Sequence, residues 1–140
     1  MTDTQTDHSA TDTQQATRTA AERALLAKVP TGLLVDGTWQ PAADGATFPV
    51  VDPSTGETLL EIADATPEDG VRALDAAAAA QQAWATTPPR QRAEVLRKAF
   101  DLLQERRADF ALLMTLEMGK PLAEANGEVT YGGEFLRWFS

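Results

Sequence analysis

The spacing of apolar residues changes near residue 64, from the short segments of strands to the three- and four-residue steps of helices. Before that point the pattern predicts two antiparallel hairpins. Their strands are Leu33–Val35 with Thr38–Trp39, and Thr47–Val51 with Thr58–Ala63. Asp36–Gly37 suits a two-residue turn because both central residues favour positive φ. In the second turn, residues 52–57, Pro53 presets φ and Gly56 accepts a left-handed conformation.

After residue 64 the spacing predicts four helices. Thr66 is a good N-cap and Pro67 suits the first helical position. The predicted helices run from Pro67 to the Pro88–Pro89 break, from about Arg90 onward, over Asp109–Met118, and from Pro121 to the end of the sequence. Gly119 is the expected left-handed cap of the third. A shorter helix is predicted before the strands, over Ala20–Lys28.

The last predicted helix carries an apolar face that requires a partner surface, and no Gly, Asn or Pro closes it. The residues of this face are Val129, Tyr131, Phe135, Leu136, Trp138 and Phe139. We therefore expect a chain that is truncated within its last helix and forms the front end of a larger protein. Gly127, Gly132 and Gly133 lie in the same helix, and each costs roughly 1 kcal/mol relative to alanine. They indicate close approach of another backbone or a ligand, and packing is the favoured interpretation.

The amino-acid composition argues against several classes of partner and active site. The net charge of −9 makes nucleic acid and anionic membranes poor partners, because both require a basic face. The sequence contains no cysteine, and its single histidine is His8 in a polar tail, which argues against a zinc site, a cysteine nucleophile or a Ser/His/Asp triad here. No apolar run approaches membrane-spanning length and no secretory signal is present, so we expect a cytoplasmic protein.

The polar composition up to about Thr19 predicts disorder. The sequence thus divides into a disordered or loosely helical tail, residues 1–28, and a folded part, residues 29–140.

The residues alone show no catalytic constellation. The spacing of Gly127, Gly132 and Gly133 lacks the strand–turn–helix context of a phosphate-binding loop. Carboxylates at Glu117, Glu124 and Glu128 could act as a general acid or base, although such residues on charged helices usually form a solvated face. For Lys120, which follows a helix C-terminus, a structural role is expected.

Six features in this order nevertheless resemble a known family. They are Asp36-Gly37-x-Trp39, the turn Asp52-Pro53-Ser54-Thr55-Gly56-Glu57, an alanine-rich helix ending in Trp84, Arg92 leading a helix with Leu96, Glu117-Met118-Gly119-Lys120-Pro121, and Glu124-Ala125 followed by Glu128-Val129. Over about residues 33–140 the chain resembles the aldehyde dehydrogenase superfamily. The run from Leu112 to Ser140 is most similar to its succinate-semialdehyde branch, although enzymes acting on glutarate semialdehyde or broad aliphatic aldehydes share much of it. Asp52 departs from the asparagine more usual there.

The resemblance implies an α/β fold with a Rossmann-like cofactor domain, of which residues 29–140 would be the N-terminal portion. It also implies oxidation of an aldehyde, with a cysteine thiolate as nucleophile, hydride transfer to NAD or NADP, and hydrolysis of the thioester assisted by a glutamate. The nucleophile, that glutamate and the main cofactor contacts would all lie beyond Ser140. Full-length members would form homodimers or homotetramers.

The resemblance implies two binding sites within residues 29–140. The backbone of Val50 and Val51 and the carboxylate of Glu117 would bind a monovalent cation, with capping or ion pairing as the alternative role of Glu117. Ala123 and Gly127 would lie at the rim of the substrate channel, with helix packing as the alternative. A non-catalytic helical interaction module derived from the same fold is the competing function.

Overall fold

The computed structural model describes residues 19–140, and the predicted order of hairpins followed by four helices is confirmed. Within this part there are five helices and two separate two-stranded sheets. In chain order they are α1 (Ala20–Leu26), β1 (Leu33–Val35), β2 (Thr38–Gln40), β3 (Thr47–Val51), β4 (Thr58–Ala63), α2 (Pro67–Thr86), α3 (Pro89–Glu105), α4 (Arg107–Met118) and α5 (Leu122–Trp138). The polar residues 1–18, for which the sequence predicts disorder, lie outside the described residues.

Both hairpins are antiparallel and have the turns that the sequence predicts. Asp36 has φ of 50° and Gly37 has φ of 72°, as a two-residue turn with positive φ at both positions requires. In the second hairpin Gly56 has φ of 76°. The register of β3 on β4 shifts between Val50 and Val51, so the ladder is irregular where β3 leads into its turn.

Local capping residues fix several of the helix ends. Thr66 and Asp69 form a reciprocal capping box at the start of α2. Gly119 has φ of 72° and donates its N–H to the Thr115 carbonyl at 2.9 Å, which closes α4 as predicted. The third predicted helix begins two residues earlier than expected, at Arg107 rather than Asp109.

Helix α4 is shared by the two clusters of buried residues. On one side Leu116 packs with Leu26 of α1 and Leu59 of β4. On the other side Ala111 packs with Ala125 and Val129 of α5. Ala111 and Ala125 are both 0% exposed. Because their side chains are small, the axes of α4 and α5 can approach each other closely at this contact. Helix α4 therefore joins the β3–β4 hairpin to α5.

The close packing predicted for the glycines of α5 holds at one of the three. A Cβ on Gly133 would lie 3.1 Å from Gln104 Nε2 and 3.4 Å from Leu103 Cδ2, so α3 lies directly against this glycine. Nothing in the described part of the chain lies within 4 Å of a Cβ built on Gly127 or Gly132. For those two the packing prediction is wrong within residues 19–140.

Large apolar faces remain uncovered. Val71 and Leu74 of α2 are 58% and 68% exposed, and the α5 aromatics predicted to need a partner are exposed as well, with Trp138 at 76%. The two aliphatic residues of the predicted face differ from these aromatics: Val129 is buried where α5 packs against α4, and Leu136 is half-buried. None of the helices described here is long and apolar enough to cross a membrane.

Candidate functional site

The predicted cation-binding residues come from two segments that touch each other. Val50 and Val51 end β3, and Glu117 lies in the last turn of α4. The turn after β3 meets the end of α4, because a Cβ built on Gly119 would lie 3.1 Å from Pro53 Cγ. The β3–β4 bulge at Val50 and Val51 disturbs the regular ladder at this point. The two segments that carry the three predicted residues are therefore in contact at this edge of the hairpin.

Glu117 is the one side-chain carboxylate among the three predicted cation-binding residues. Glu117 is exposed, and its carboxylate makes no hydrogen bond or ion pair to any residue in the 19–140 range. Within that range no group of three or more His, Cys, Asp or Glu side chains converges to hold a metal ion. One carboxylate with two backbone carbonyls is a hard-oxygen donor set of low charge.

A small cavity of about 290 Å³, lined by both polar and apolar atoms, lies beside this edge. Its lining includes Asp52 and Ser54 of the turn and Thr115 and Gly119 of α4. Asp52 Oδ1 accepts hydrogen bonds from the Ser54 N–H at 2.9 Å and from the Ser54 hydroxyl at 2.6 Å. The aspartate found here in place of the family's usual asparagine thus still holds the turn together.

The predicted rim residues, Ala123 and Gly127, lie on the first two turns of α5 and are exposed. Their small side chains leave the space above them open, which is the property that a channel entrance requires. On the same helix Asn126 and Thr130 accept hydrogen bonds from Arg107, which extends from the start of α4. Sequence reasoning did not single out Arg107, because nothing in its local pattern indicates which helix its side chain reaches.

Two cations near α5, Lys120 and Arg137, are both paired. Lys120 forms an ion pair with Glu128. Arg137 binds Glu134 through Nε at 3.0 Å and through Nη2 at 2.6 Å. This hydrogen bonding lowers the pKa of the Glu134 carboxyl and raises the pKa of Arg137. Both charges are therefore neutralised locally.

A buried carboxylate, Asp69, organises the start of α2. Asp69 Oδ2 accepts hydrogen bonds from the Thr66 N–H at 2.9 Å and from the Ala43 N–H at 3.1 Å, and Oδ1 pairs with Arg72. The Ala43 N–H, followed by the Thr66 N–H, holds the pKa of Asp69 below its usual value. A carboxylate held ionised in this way serves structure, tying α2 to the loop after β2.

The described residues do not form a dinucleotide site. Gly127, Gly132 and Gly133 all lie inside α5, so no glycine-rich strand-to-helix loop is present to hold a pyrophosphate in this part. The 140-residue sequence also contains no cysteine to act as a nucleophile. No catalytic or cofactor-binding residue is therefore assigned within it.

Comparison with curated proteins gives a consistent family. Residues 39–140 match the aldehyde dehydrogenase family. The chain is 71% identical over 82 residues to a succinate-semialdehyde dehydrogenase of Paenarthrobacter nicotinovorans, covering 59% of this chain and 18% of that protein. It is 45% identical over 105 residues to a glutarate-semialdehyde dehydrogenase of Pseudomonas aeruginosa, covering 75% of this chain and 22% of that protein.

Solved structures give the same result. A succinate-semialdehyde dehydrogenase from Burkholderia pseudomallei matches 74% of this chain and 22% of its own length, with a TM-score of 0.73 and 43% identity. A betaine aldehyde dehydrogenase from Staphylococcus aureus in complex with NAD⁺ matches 79% of this chain and 22% of its own, with a TM-score of 0.77 and 27% identity. The chain thus spans about a fifth of the length of the relatives it matches. By the extent of the family match and the shared fold, this chain belongs to the aldehyde dehydrogenase family.

Proposed function

We propose that this chain is the N-terminal portion of an NAD(P)-dependent aldehyde dehydrogenase that oxidises a semialdehyde, with succinate semialdehyde as the substrate. The observation that carries the substrate class is the 71% identity over 82 residues with a protein named for that activity. The reaction would convert an aldehyde, water and oxidised cofactor into the carboxylic acid, reduced cofactor and a proton. A non-catalytic module is not favoured, because the match extends through nearly all of the described fold.

The chain's own residues would support the reaction rather than perform it. We place residues 29–140 in the outer part of the cofactor-binding domain, with α4 holding the β3–β4 hairpin against α5. Ala123 and Gly127 would keep the entrance of the substrate channel open. The bound cofactor would accept the hydride from the aldehyde carbon, at residues that this chain does not supply.

We also propose that Val50, Val51 and Glu117 bind a monovalent cation at the edge of the hairpin. The contact between Pro53 and Gly119 supports this proposal, since it holds the two contributing segments together. We further propose that the uncovered apolar faces of α2 and α5 are covered by the rest of a longer chain or by assembly into a homodimer or homotetramer. A cytoplasmic enzyme is consistent with these features.

Activity measured on two proteins tests the proposal. Purified full-length enzyme carrying this chain is expected to reduce NAD or NADP in the presence of succinate semialdehyde. The isolated 140-residue chain is expected to be inactive, because it contains no cysteine. Cofactor reduction by the isolated chain, or an inactive full-length enzyme with every aldehyde tried, would reject the proposed function.

A further inference from the structure

The sequence contains several dipeptides in which glycine follows an aspartate or an asparagine. They are Asp36–Gly37, Asp44–Gly45, Asp69–Gly70 and Asn126–Gly127. At such a dipeptide the glycine nitrogen can attack the side-chain carbonyl carbon and close a succinimide ring. Glycine is the most reactive successor because it has no side chain to shield its nitrogen. The structure separates these sites by what holds the two reacting groups.

At Asp44–Gly45 both reacting groups are hydrogen-bonded. Asp44 Oδ1 accepts a hydrogen bond from the Ala46 N–H at 2.9 Å. The nucleophile, the Gly45 nitrogen, donates its N–H to the Ala42 carbonyl at 2.9 Å. Ring closure moves both groups, so both bonds must break first. This site is therefore protected although Asp44 and Gly45 are exposed.

Two further sites are held by helices. Asp69 is buried, and both of its carboxylate oxygens are bonded at the start of α2. The Gly70 N–H donates to the Thr66 carbonyl at 3.2 Å. Asn126 and Gly127 lie inside α5, where the Asn126 amide donates a hydrogen bond to the helix backbone at 2.9 Å. Closing a ring at either site would require part of a long helix to unwind.

Asp36–Gly37 is the site that the fold leaves free. Both residues are exposed. No hydrogen bond or ion pair within residues 19–140 engages the Asp36 carboxylate or the Gly37 N–H. Asp36 is also the non-glycine residue with a positive φ in this part of the chain, a conformation that is unfavourable for an L-amino acid.

The hairpin that carries this turn is weakly held. Strand β1 pairs with β2 over three residues. Leu34 and Trp39, which face each other across the pair, are 57% and 53% exposed, so they bury little apolar surface. A two-stranded hairpin of this kind is marginally stable on its own in water. The Asp36–Gly37 segment can therefore leave its turn conformation and reach the geometry of attack more easily than a site inside a helix.

We propose that Asp36–Gly37 is a site of spontaneous backbone isomerisation, at which Asp36 is converted to isoaspartate. The Gly37 nitrogen bonds to Cγ of Asp36, and its proton leaves with the carboxyl hydroxyl as water. Water then opens the ring. Attack at the side-chain carbonyl restores Asp36, whereas attack at the main-chain carbonyl leaves the chain running through Cγ. The net reaction is an isomerisation that requires no cofactor, oxidant or enzyme.

The product does not fit the turn. Isoaspartate adds a carbon atom to the main chain between Val35 and Thr38. These two residues pair across a two-residue turn whose central residues both have positive φ. The modified chain should therefore lose the register between β1 and β2.

The full-length enzyme, aged at neutral pH, tests this inference. Trypsin cuts after Lys28 and Arg72 and at no residue between them, so the three Asp–Gly sites lie in one peptide. Electron-transfer fragmentation of that peptide distinguishes isoaspartate from aspartate at each position. Isoaspartate should form at Asp36 at least about tenfold faster than at Asp44 or Asp69, because hydrogen bonds must break first at the other two sites.

Asp36→Asn and Asp44→Asn form a matched pair of variants with a readout in mass. An asparagine before glycine closes the same ring with loss of ammonia, and hydrolysis then leaves aspartate or isoaspartate. Asparagine also tolerates positive φ and can accept the hydrogen bond that Asp44 accepts. Deamidation in the folded enzyme should be at least about tenfold faster in Asp36→Asn than in Asp44→Asn. In unfolding concentrations of urea the two rates should become nearly equal.

Equal rates at positions 36 and 44 in the folded enzyme, or a slower rate at 36, would overturn the inference. A difference that persists in urea would trace it to the adjacent residues of the sequence rather than to the fold, and would overturn it as well. Neither result bears on the proposed function, because ring closure at Asp36 does not involve the aldehyde or the cofactor.

Discussion

Replacing Gly119 by alanine tests the contact that joins the β3–β4 hairpin to the end of α4. Gly119 has φ of 72°, a conformation that costs an alanine about 1–2 kcal/mol. The new Cβ would also lie 3.1 Å from Pro53 Cγ, closer than the usual carbon–carbon separation of about 3.5–4.0 Å. Because the proline ring is stiff, the turn or the helix end must move, at a further cost of about 1 kcal/mol.

Gly56→Ala separates the two costs. Gly56 has nearly the same φ, 76°, but nothing in the described part of the chain lies within 4 Å of its Cβ position. Urea unfolding of the full-length enzyme that carries this chain, followed by circular dichroism, should therefore show Gly119→Ala to be less stable than Gly56→Ala by about 1 kcal/mol.

A double-mutant cycle assigns the difference to Pro53. Pro53→Ala removes the ring carbon that the new Cβ meets, so it should recover most of the extra loss in the Gly119→Ala background. Equal destabilisation by Gly119→Ala and Gly56→Ala, with no coupling to Pro53, would refute the contact. The support for a shared cation site at this edge would then be lost.

Three further predictions follow from the packing and the charges. Gly132→Leu should be neutral or stabilising by up to about 1 kcal/mol, whereas Gly133→Leu should destabilise by about 1–3 kcal/mol because α3 lies against Gly133. Urea unfolding of the two variants compares these effects. Equal effects of the two substitutions would contradict the α3–α5 contact. The pKa of Asp69 is lowered in the folded state, so the ionised carboxylate should contribute fully to stability above about pH 3.8, and this contribution should be lost as the pH falls through the folded-state pKa. The difference in unfolding free energy between wild type and Asp69→Asn should therefore shrink below about pH 3.8. A difference that stays constant with pH would argue against the lowered pKa. Lys120→Ala and Arg137→Ala in the full-length enzyme should each change the preference for succinate semialdehyde over butanal, measured as the ratio of kcat/KM values, by less than about twofold. The reason is that both cations are already paired with glutamates. A tens-fold loss of kcat/KM for succinate semialdehyde alone would place carboxylate recognition at the substituted residue.

The sequence predicted those features that are decided within a few residues. The turns at Asp36–Gly37 and at Gly56, the Thr66 cap and the left-handed end at Gly119 all depend on local φ preferences or on short-range hydrogen bonds. Strand and helix positions followed from the spacing of apolar residues, and the structure moved their bounds by one or two positions.

Long-range contacts could not be predicted in the same way. Asp69 reaches the Ala43 N–H, 26 residues away, and Arg107 reaches Thr130, 23 residues away. Nothing in the local pattern distinguishes Val129, which is buried, from Tyr131, which is exposed. The burial of Val129 and the exposure of Tyr131 both depend on which face of α5 packs against α4. The candidate site residues Ala123, Gly127 and Glu117 came from the family resemblance, because small or charged residues on helices carry no chemical signature of their own.

We propose above that this chain belongs to a dehydrogenase for a semialdehyde bearing a distal carboxylate. The most direct test is the steady-state rate of NAD or NADP reduction by the full-length enzyme with succinate semialdehyde, glutarate semialdehyde and butanal. We expect the highest kcat/KM for succinate semialdehyde, with the value for butanal at least about tenfold lower. A higher value for butanal, or equal values for all three aldehydes, would contradict it.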